Sequence, residues 1–284
     1  MDYIRVTSED ELATALRRDG AVLLAGGTDL MVKMRGWAIR PSLLVDISRV
    51  DSLRRVSTSS DGAVIGSAAR VADLLANSTL CVRYPLLAAV LRSLGSVQIR
   101  NRATLGGNLA NASPAADSAP ALLAYDARVS LAGGAAERTL PLAEFLQGPR
   151  RTALQHGEYL RAIDLPAPRA DWIPFFHKVG RRRALTIAIA SVAGLLAFRD
   201  GDIVDARLAA GSVAPTPLRL HSVEQLVVGR HVDDALVATA AATATRAVAP
   251  IADVRATASY RREVAGELVA RFLREAGGLA PASL

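Results

Sequence analysis

At 284 residues, 51% of them hydrophobic, the chain is long enough for about two domains with substantial cores. Its formal charge of +7 comes almost wholly from arginine, because Lys33 and Lys178 are the only lysines among 34 basic residues; the longest basic run is Arg181-Arg182-Arg183, with no interleaved aromatics, which argues against a nucleic-acid partner. The sole cysteine, Cys81, excludes a disulfide framework, a cysteine-ligated zinc and an iron-sulfur cluster built from this chain alone.

In chain order, residues 3–6 read as a short strand, after which Ser8 and Glu11 stand at capping-box spacing. They open an amphipathic helix with Leu12, Ala15 and Leu16 on one side, ended by Asp19-Gly20. Residues 21–24 form a compact apolar run suited to a buried strand, and it delivers the chain straight into Ala25-Gly26-Gly27-Thr28-Asp29-Leu30. A strand running into paired glycines is the context a phosphate-binding turn requires, although the run is not the GxGxxG dinucleotide fingerprint. Residues 43–47 supply another buried strand and complete a small βαβ unit.

Residues 63–67 read as extended, and 71–76 and 86–94 as helical, with Gly95 as a stop. Val97-Gln98-Ile99-Arg100-Asn101-Arg102 then leads into Thr104-Leu105-Gly106-Gly107-Asn108. Two readings of that second stretch stand side by side. It is a plain turn, or it is a phosphate loop whose paired glycines let consecutive amides face one anion while Thr104 and Asn108 flank it. Asp117 is placed to cap a helix running to about residue 125, with Pro120 in its first turn. Residues 129–131 and 136–140 flank Gly133-Gly134 as a hairpin, and 159–165 form a further strand.

Pro166-Ala167-Pro168 is the linker candidate, which divides the chain into residues 1–168 and 169–284. Beyond it, strands over 175–179, 188–198 and 203–210 predict an antiparallel sheet of three strands. Two helices close the chain, one over 233–247 and one from about 259 that carries Val264, Leu268, Val269 and Phe272 at helical spacing. The uncharged run 184–198 falls short of the roughly twenty residues that a membrane span needs, and the N-terminus lacks a secretory pattern. The expectation is a soluble, cytoplasmic α+β protein.

The two glycine stretches, taken with Ala112-Ser113-Pro114-Ala115-Ala116-Asp117, resemble the FAD-binding subunit of the molybdenum hydroxylases, the family of the xanthine dehydrogenase flavin subunit and the aerobic carbon monoxide dehydrogenase medium subunit. Ala214-Pro215-Thr216-Pro217 and Ser259-Tyr260-Arg261-Arg262 resemble markers of its C-terminal domain. The resemblance implies a two-lobed FAD domain of the vanillyl-alcohol-oxidase (PCMH) type, with lobes of about 1–53 and 54–168, followed by a small α+β domain. It also implies that the two glycine stretches grip one diphosphate. Carried over residue by residue, Leu23, Leu24, Ala25, Gly26, Gly27, Thr28, Asp29 and Leu30 form the first jaw, and Thr104, Gly106, Gly107 and Asn108 the second. Leu94 would pack near the flavin or adenine. In this reading amide dipoles offset the phosphate charge, with no lysine taken to be near either loop in sequence.

For three positions the alternatives stay open. Asp117 accepts from ribityl or ribose hydroxyls, or is only a helix cap. Leu160 is an apolar flavin contact, or an ordinary strand core residue. Lys178 lies by the isoalloxazine and steadies charge on the reduced ring, or is a solvated lysine at a strand end. The first jaw has neither His nor Cys, so the FAD is expected to be noncovalent.

The implied function is electron transfer from the iron-sulfur clusters of a partner subunit through FAD to NAD, oxygen or another acceptor. Molybdopterin and the 2Fe-2S clusters are expected on two partners, a large molybdopterin subunit and an iron-sulfur subunit. The competing readings are a free-standing flavin oxidoreductase of the same fold and a non-catalytic flavin-binding assembly module.

Overall fold

The computed structural model describes residues 1–134, 136–182 and 186–279. Arg183 of the basic run and the first two residues of the uncharged run 184–198 lie outside these. The chain divides into two compact units. The first holds Met1–Arg83, Leu94–Ala112 and Asp126–Ala167; the second holds Tyr84–Ser93, Ser113–Tyr125 and everything from Pro168. The chain therefore enters the second unit twice before the proline-rich linker.

The first unit begins with a parallel three-stranded sheet in the order Asp2–Arg5, Leu43–Asp46, Ala21–Leu24. The central strand is buried throughout, and the helix Glu9–Leu16 sets Leu12, Ala15 and Leu16 into the same cluster as Leu43, Val45 and Ile47. That helix starts as its spacing predicts, with Ser8 Oγ accepting from the Glu11 amide at 3.2 Å. Ala21–Leu24 differs from the expected buried strand. It is only half-buried, because strand order leaves it at the edge of the sheet.

The rest of the unit is built on a five-stranded antiparallel sheet in the order Val56–Ser59, Gly62–Gly66, Tyr159–Pro166, Arg128–Ala132, Arg138–Pro141. The strand Tyr159–Pro166 arrives last and takes the centre. Its pairing with Arg128–Ala132 shifts register between Leu160 and Ala162.

In the second unit, three long antiparallel strands, Ile173–Val179, Ala190–Arg199 and Asp202–Gly211, match the expected sheet. A two-residue strand, Leu218–Arg219, adds a fourth just after the Ala214-Pro215-Thr216-Pro217 marker. Helices Asp234–Ala247 and Ala258–Ala276 pack with the sheet into one core in which Phe175 and Phe272 stack at 4.7 Å. The helices Pro85–Ser93 and Ser118–Ala124 belong here because their apolar faces pack on these strands. Arg261, from the second sequence marker, is buried at 4% exposure and donates to the carbonyls of Ile189 and Ser212 and to Asp253. It pins the last helix to the strand ends, a structural task that accounts for a buried charge. Among the described residues no helix is long and apolar enough to cross a membrane.

Candidate functional site

Both glycine stretches lie in the first unit. The first follows the edge strand and passes within a few residues into a short helix, Leu30–Arg35. Gly27 has φ of +74°, a left-handed conformation that glycine adopts without a Cβ penalty. Among the described residues, the backbone amides of residues 25–30 donate to no protein group. All six residues are half-exposed, so the first stretch presents successive free N–H dipoles to an incoming ligand. An array of that kind binds an anion.

The second stretch has the opposite character. Thr104 is the N-cap of a helix, Leu105–Ala110, and every early amide of that helix is spent within the protein. Leu105 donates to Ala69 O at 3.1 Å, Gly106 to Ser67 O at 3.0 Å, Gly107 to Thr104 Oγ1 at 3.0 Å and Asn108 to Thr104 O at 3.0 Å. This corrects the reading in which its consecutive amides face an anion, because the carbonyls of Ser67 and Ala69, the Thr104 cap and the helix itself have taken them. What the helix offers instead is a rigid, narrow surface. Gly106 is packed so tightly that a Cβ would stand 2.4 Å from Ser67 Cβ, while Gly107 is exposed and Asn108 half-exposed.

The two stretches meet. A Cβ on Gly26 would lie 2.1 Å from the Arg102 carbonyl oxygen and 2.9 Å from Ala103 Cα, on the backbone that leads directly into Thr104. The free amides are thus set against the start of the capped helix with no side chain between them at Gly26.

Three residues at this meeting point escaped the sequence reading. Lys33 corrects the statement that no lysine lies near either loop: its ammonium is 2.6 Å from Asp29 Oδ2 and 2.6 Å from Asn111 Oδ1. Arg150 reaches Asp29 at 3.3 Å and also donates to Asn111 Oδ1. Burial works to raise the Asp29 carboxyl, but Lys33 and Arg150 outweigh it and hold the group below the usual carboxylate range. Only the i,i+4 spacing of Asp29 and Lys33 was visible as a signal.

Of the other expected site residues, Leu23, Leu24 and Leu30 are half-buried beside the first stretch. Leu94 is buried in the same unit, where Arg100 donates to its carbonyl at 3.1 Å and to that of Gly95 at 3.0 Å. Leu160 is a buried residue of the central strand, at the register shift.

Asp117 and Lys178 fall in the second unit, where the structure brings them together. Their side chains are 11% and 9% exposed and form an ion pair at 2.7 Å, and Lys178 also donates to Ser93 O at 3.0 Å. Asp117 stands at the N-cap position of the helix Ser118–Ala124 but its side chain makes no capping bond, which corrects the reading of it as only a helix cap, and Lys178 is not a solvated lysine. The second carboxylate oxygen of Asp117, Oδ1, is buried and has no hydrogen-bond partner among the described residues. Burial pushes the Asp117 carboxyl up, and the charge of Lys178 works against that rise. His156, His177, His221 and His231 join no metal-binding group among the described residues.

Two outcomes test this geometry. Gly26→Ala forces a methyl onto a backbone carbonyl and is expected to cost about 1–3 kcal/mol in urea unfolding, whereas Gly36→Ala, whose Cβ meets nothing nearer than 3.5 Å, stays close to neutral. Lys178→Met removes the influence that lowers the Asp117 carboxyl, so the folded pKa rises further above its unfolded value of about 3.9. A raised carboxyl costs stability above the unfolded pKa. The variant's deficit relative to the parent should therefore grow as urea midpoints are measured from pH 4 to pH 8, and Lys178→Met combined with Asp117→Asn should remove that pH dependence.

Comparison with known proteins gives two family matches: the FAD binding domain in molybdopterin dehydrogenase over residues 1–168, and the CO dehydrogenase flavoprotein C-terminal domain over residues 175–276. The chain is 33% identical to the glyceraldehyde dehydrogenase medium chain of Sulfolobus acidocaldarius, covering 96% of this chain and 97% of that one. It is 31% identical to the xanthine dehydrogenase FAD-binding subunit of Escherichia coli O157:H7, over 90% and 88% of the two chains. Among solved structures, a carbon monoxide dehydrogenase chain from Hydrogenophaga pseudoflava superposes with a TM-score of 0.92 at 31% identity, covering 95% of each chain.

Proposed function

This chain belongs to the family of FAD-binding subunits of the molybdopterin dehydrogenases, and we propose that it relays electrons through FAD from an iron-sulfur partner subunit to an external acceptor, NAD, oxygen or another. When bound, FAD takes up and gives out electrons singly or in pairs. The observation that carries the reading is the junction at Gly26, where six free amides stand against the start of a capped helix. N–H dipoles with no protein acceptor are able to offset the charges of a diphosphate, and Gly27, at φ +74°, puts no side chain in the way at its own position. The residues present therefore fit the cofactor.

We assign residues 23–30 to the diphosphate side of the site, with Thr104, Gly106, Gly107 and Asn108 as the facing wall and Leu94 and Leu160 as apolar contacts. For Asp117 the assigned role is to accept from ribityl or ribose hydroxyls, supported by its partnerless Oδ1. For Lys178 it is to steady negative charge on the reduced ring, supported by its burial as an ammonium. The division near residue 168 into a cofactor domain and a C-terminal domain belongs to the same proposal.

Molybdopterin and 2Fe-2S clusters are assigned to a large subunit and an iron-sulfur subunit, since one free cysteine supplies no cluster. The cytoplasm is the assigned compartment. Purification of the chain together with its operon neighbours tests the reading. A yellow complex whose flavin absorption bleaches when the whole complex is given its reductant is the expected result. A complex that contains the chain but no FAD would overturn it.

A further inference from the structure

Lys33, Asp29, Asn111 and Arg150 form one closed set of contacts across the two glycine stretches. Asp29, in the first stretch, is the N-cap position of the helix Leu30–Arg35, and Lys33 stands one turn along that helix. Asn111 is the C-cap of the second-stretch helix, Leu105–Ala110. Arg150 comes from elsewhere, the turn between the short strands Leu146–Gly148 and Arg151–Thr152. Two cations face two oxygen-bearing groups: Asp29 and Asn111 each accept from both Lys33 and Arg150. Because only Asp29 is anionic, the set keeps one net positive charge.

The backbone adds a second, independent sign that the arrangement is held on purpose. Arg150 has φ of +61° and Ala112, next to Asn111, has φ of +45°, both left-handed and both non-glycine. The Arg150 amide donates to the Ala112 carbonyl at 2.8 Å, so the two strained residues support each other. Glycine would adopt the conformation at position 150 at less cost. An arginine there sacrifices backbone ease, and what it supplies in return is a guanidinium that reaches both stretches.

We propose that Lys33 and Arg150 are positioning residues, a latch that ties the free-amide stretch to the second-stretch helix and so sets the gap into which the FAD diphosphate fits. This rests on the reading that residues 25–30 hold that diphosphate. The close packing of Gly26 on Arg102 limits how near the two stretches come. The latch opposes separation, and its net charge favours an anion between the jaws.

The test uses the full chain, freed of cofactor, with FAD and ADP as probes and the melting temperature of the apo-chain as a control. Lys33→Met and Arg150→Gly are each expected to raise the dissociation constants of FAD and ADP about tenfold. Arg150→Gly should do so while its apo-chain melts no lower than the parent, since glycine relieves the left-handed strain. Arg150→Lys should recover part of the affinity. If the parent binds FAD and both variants bind it equally well, the latch is refuted while the functional reading stands. If affinity falls only in proportion to a lower apo-chain melting temperature in both variants, the residues merely support the fold and the latch is again refuted. A parent chain that binds neither FAD nor ADP overturns the functional reading, and the latch with it.

Discussion

The approach of Gly26 to the backbone of Arg102 and Ala103 is the constraint on which the candidate site depends. No side chain larger than hydrogen fits there, so two segments far apart in sequence are held at backbone contact. Each is fixed from behind by different means. The first is the continuation of an edge strand whose other side pairs with the buried strand Leu43–Asp46. The second is strapped by the segment 67–71, which takes the amides of Leu105 and Gly106 and donates the Val71 amide to Ala103.

From that contact follows a division of labour among polar groups. A protein normally satisfies its buried donors, and the helix Leu105–Ala110 does so completely at its start. Residues 25–30 leave theirs free at a half-exposed position, which costs little while water reaches them and favours an anion that displaces that water. The second unit treats charge differently. Arg261 is buried and bonded to carbonyls and Asp253, whereas the Asp117–Lys178 pair is buried with one carboxylate oxygen unused. The first arrangement is a structural pin. The second keeps an acceptor in reserve.

Much of this was legible in the sequence because it rests on local rules. The Ser8 cap, the apolar face of Leu12, Ala15 and Leu16, and the strand running into Gly26-Gly27 are each set within a few residues, and the structure reproduces them. The edge position of Ala21–Leu24 was not legible, since an apolar run looks the same in a central strand and at an edge until strand order is known. The helix at 105–110 was hidden by two glycines and an asparagine, poor helix formers, and it forms because Thr104, Ser67 and Ala69 accept its first amides. Helix His221–Val227 has no side-chain cap to announce it, and helix Ser78–Arg83, although Asn77 Oδ1 accepts from the Leu80 amide at its start, is too short to show a periodicity. Asp29, Asn111 and Arg150 span so much of the chain that no spacing rule connects them. The partnership of Asp117 with Lys178 was equally invisible, because it requires the helix Ser118–Ala124 and the strand Ile173–Val179 to pack within one unit.

The central claim is that one glycine stretch supplies the free amides and the other a wall whose amides are already engaged. Amide hydrogen exchange with and without FAD tests it most directly. The account predicts that the amides of residues 25–30 exchange rapidly in the apo-chain and become protected when FAD is added, while those of residues 105–108 are protected in both states. Residues 25–30 that gain no protection, or residues 105–108 that become protected only with FAD, would contradict it.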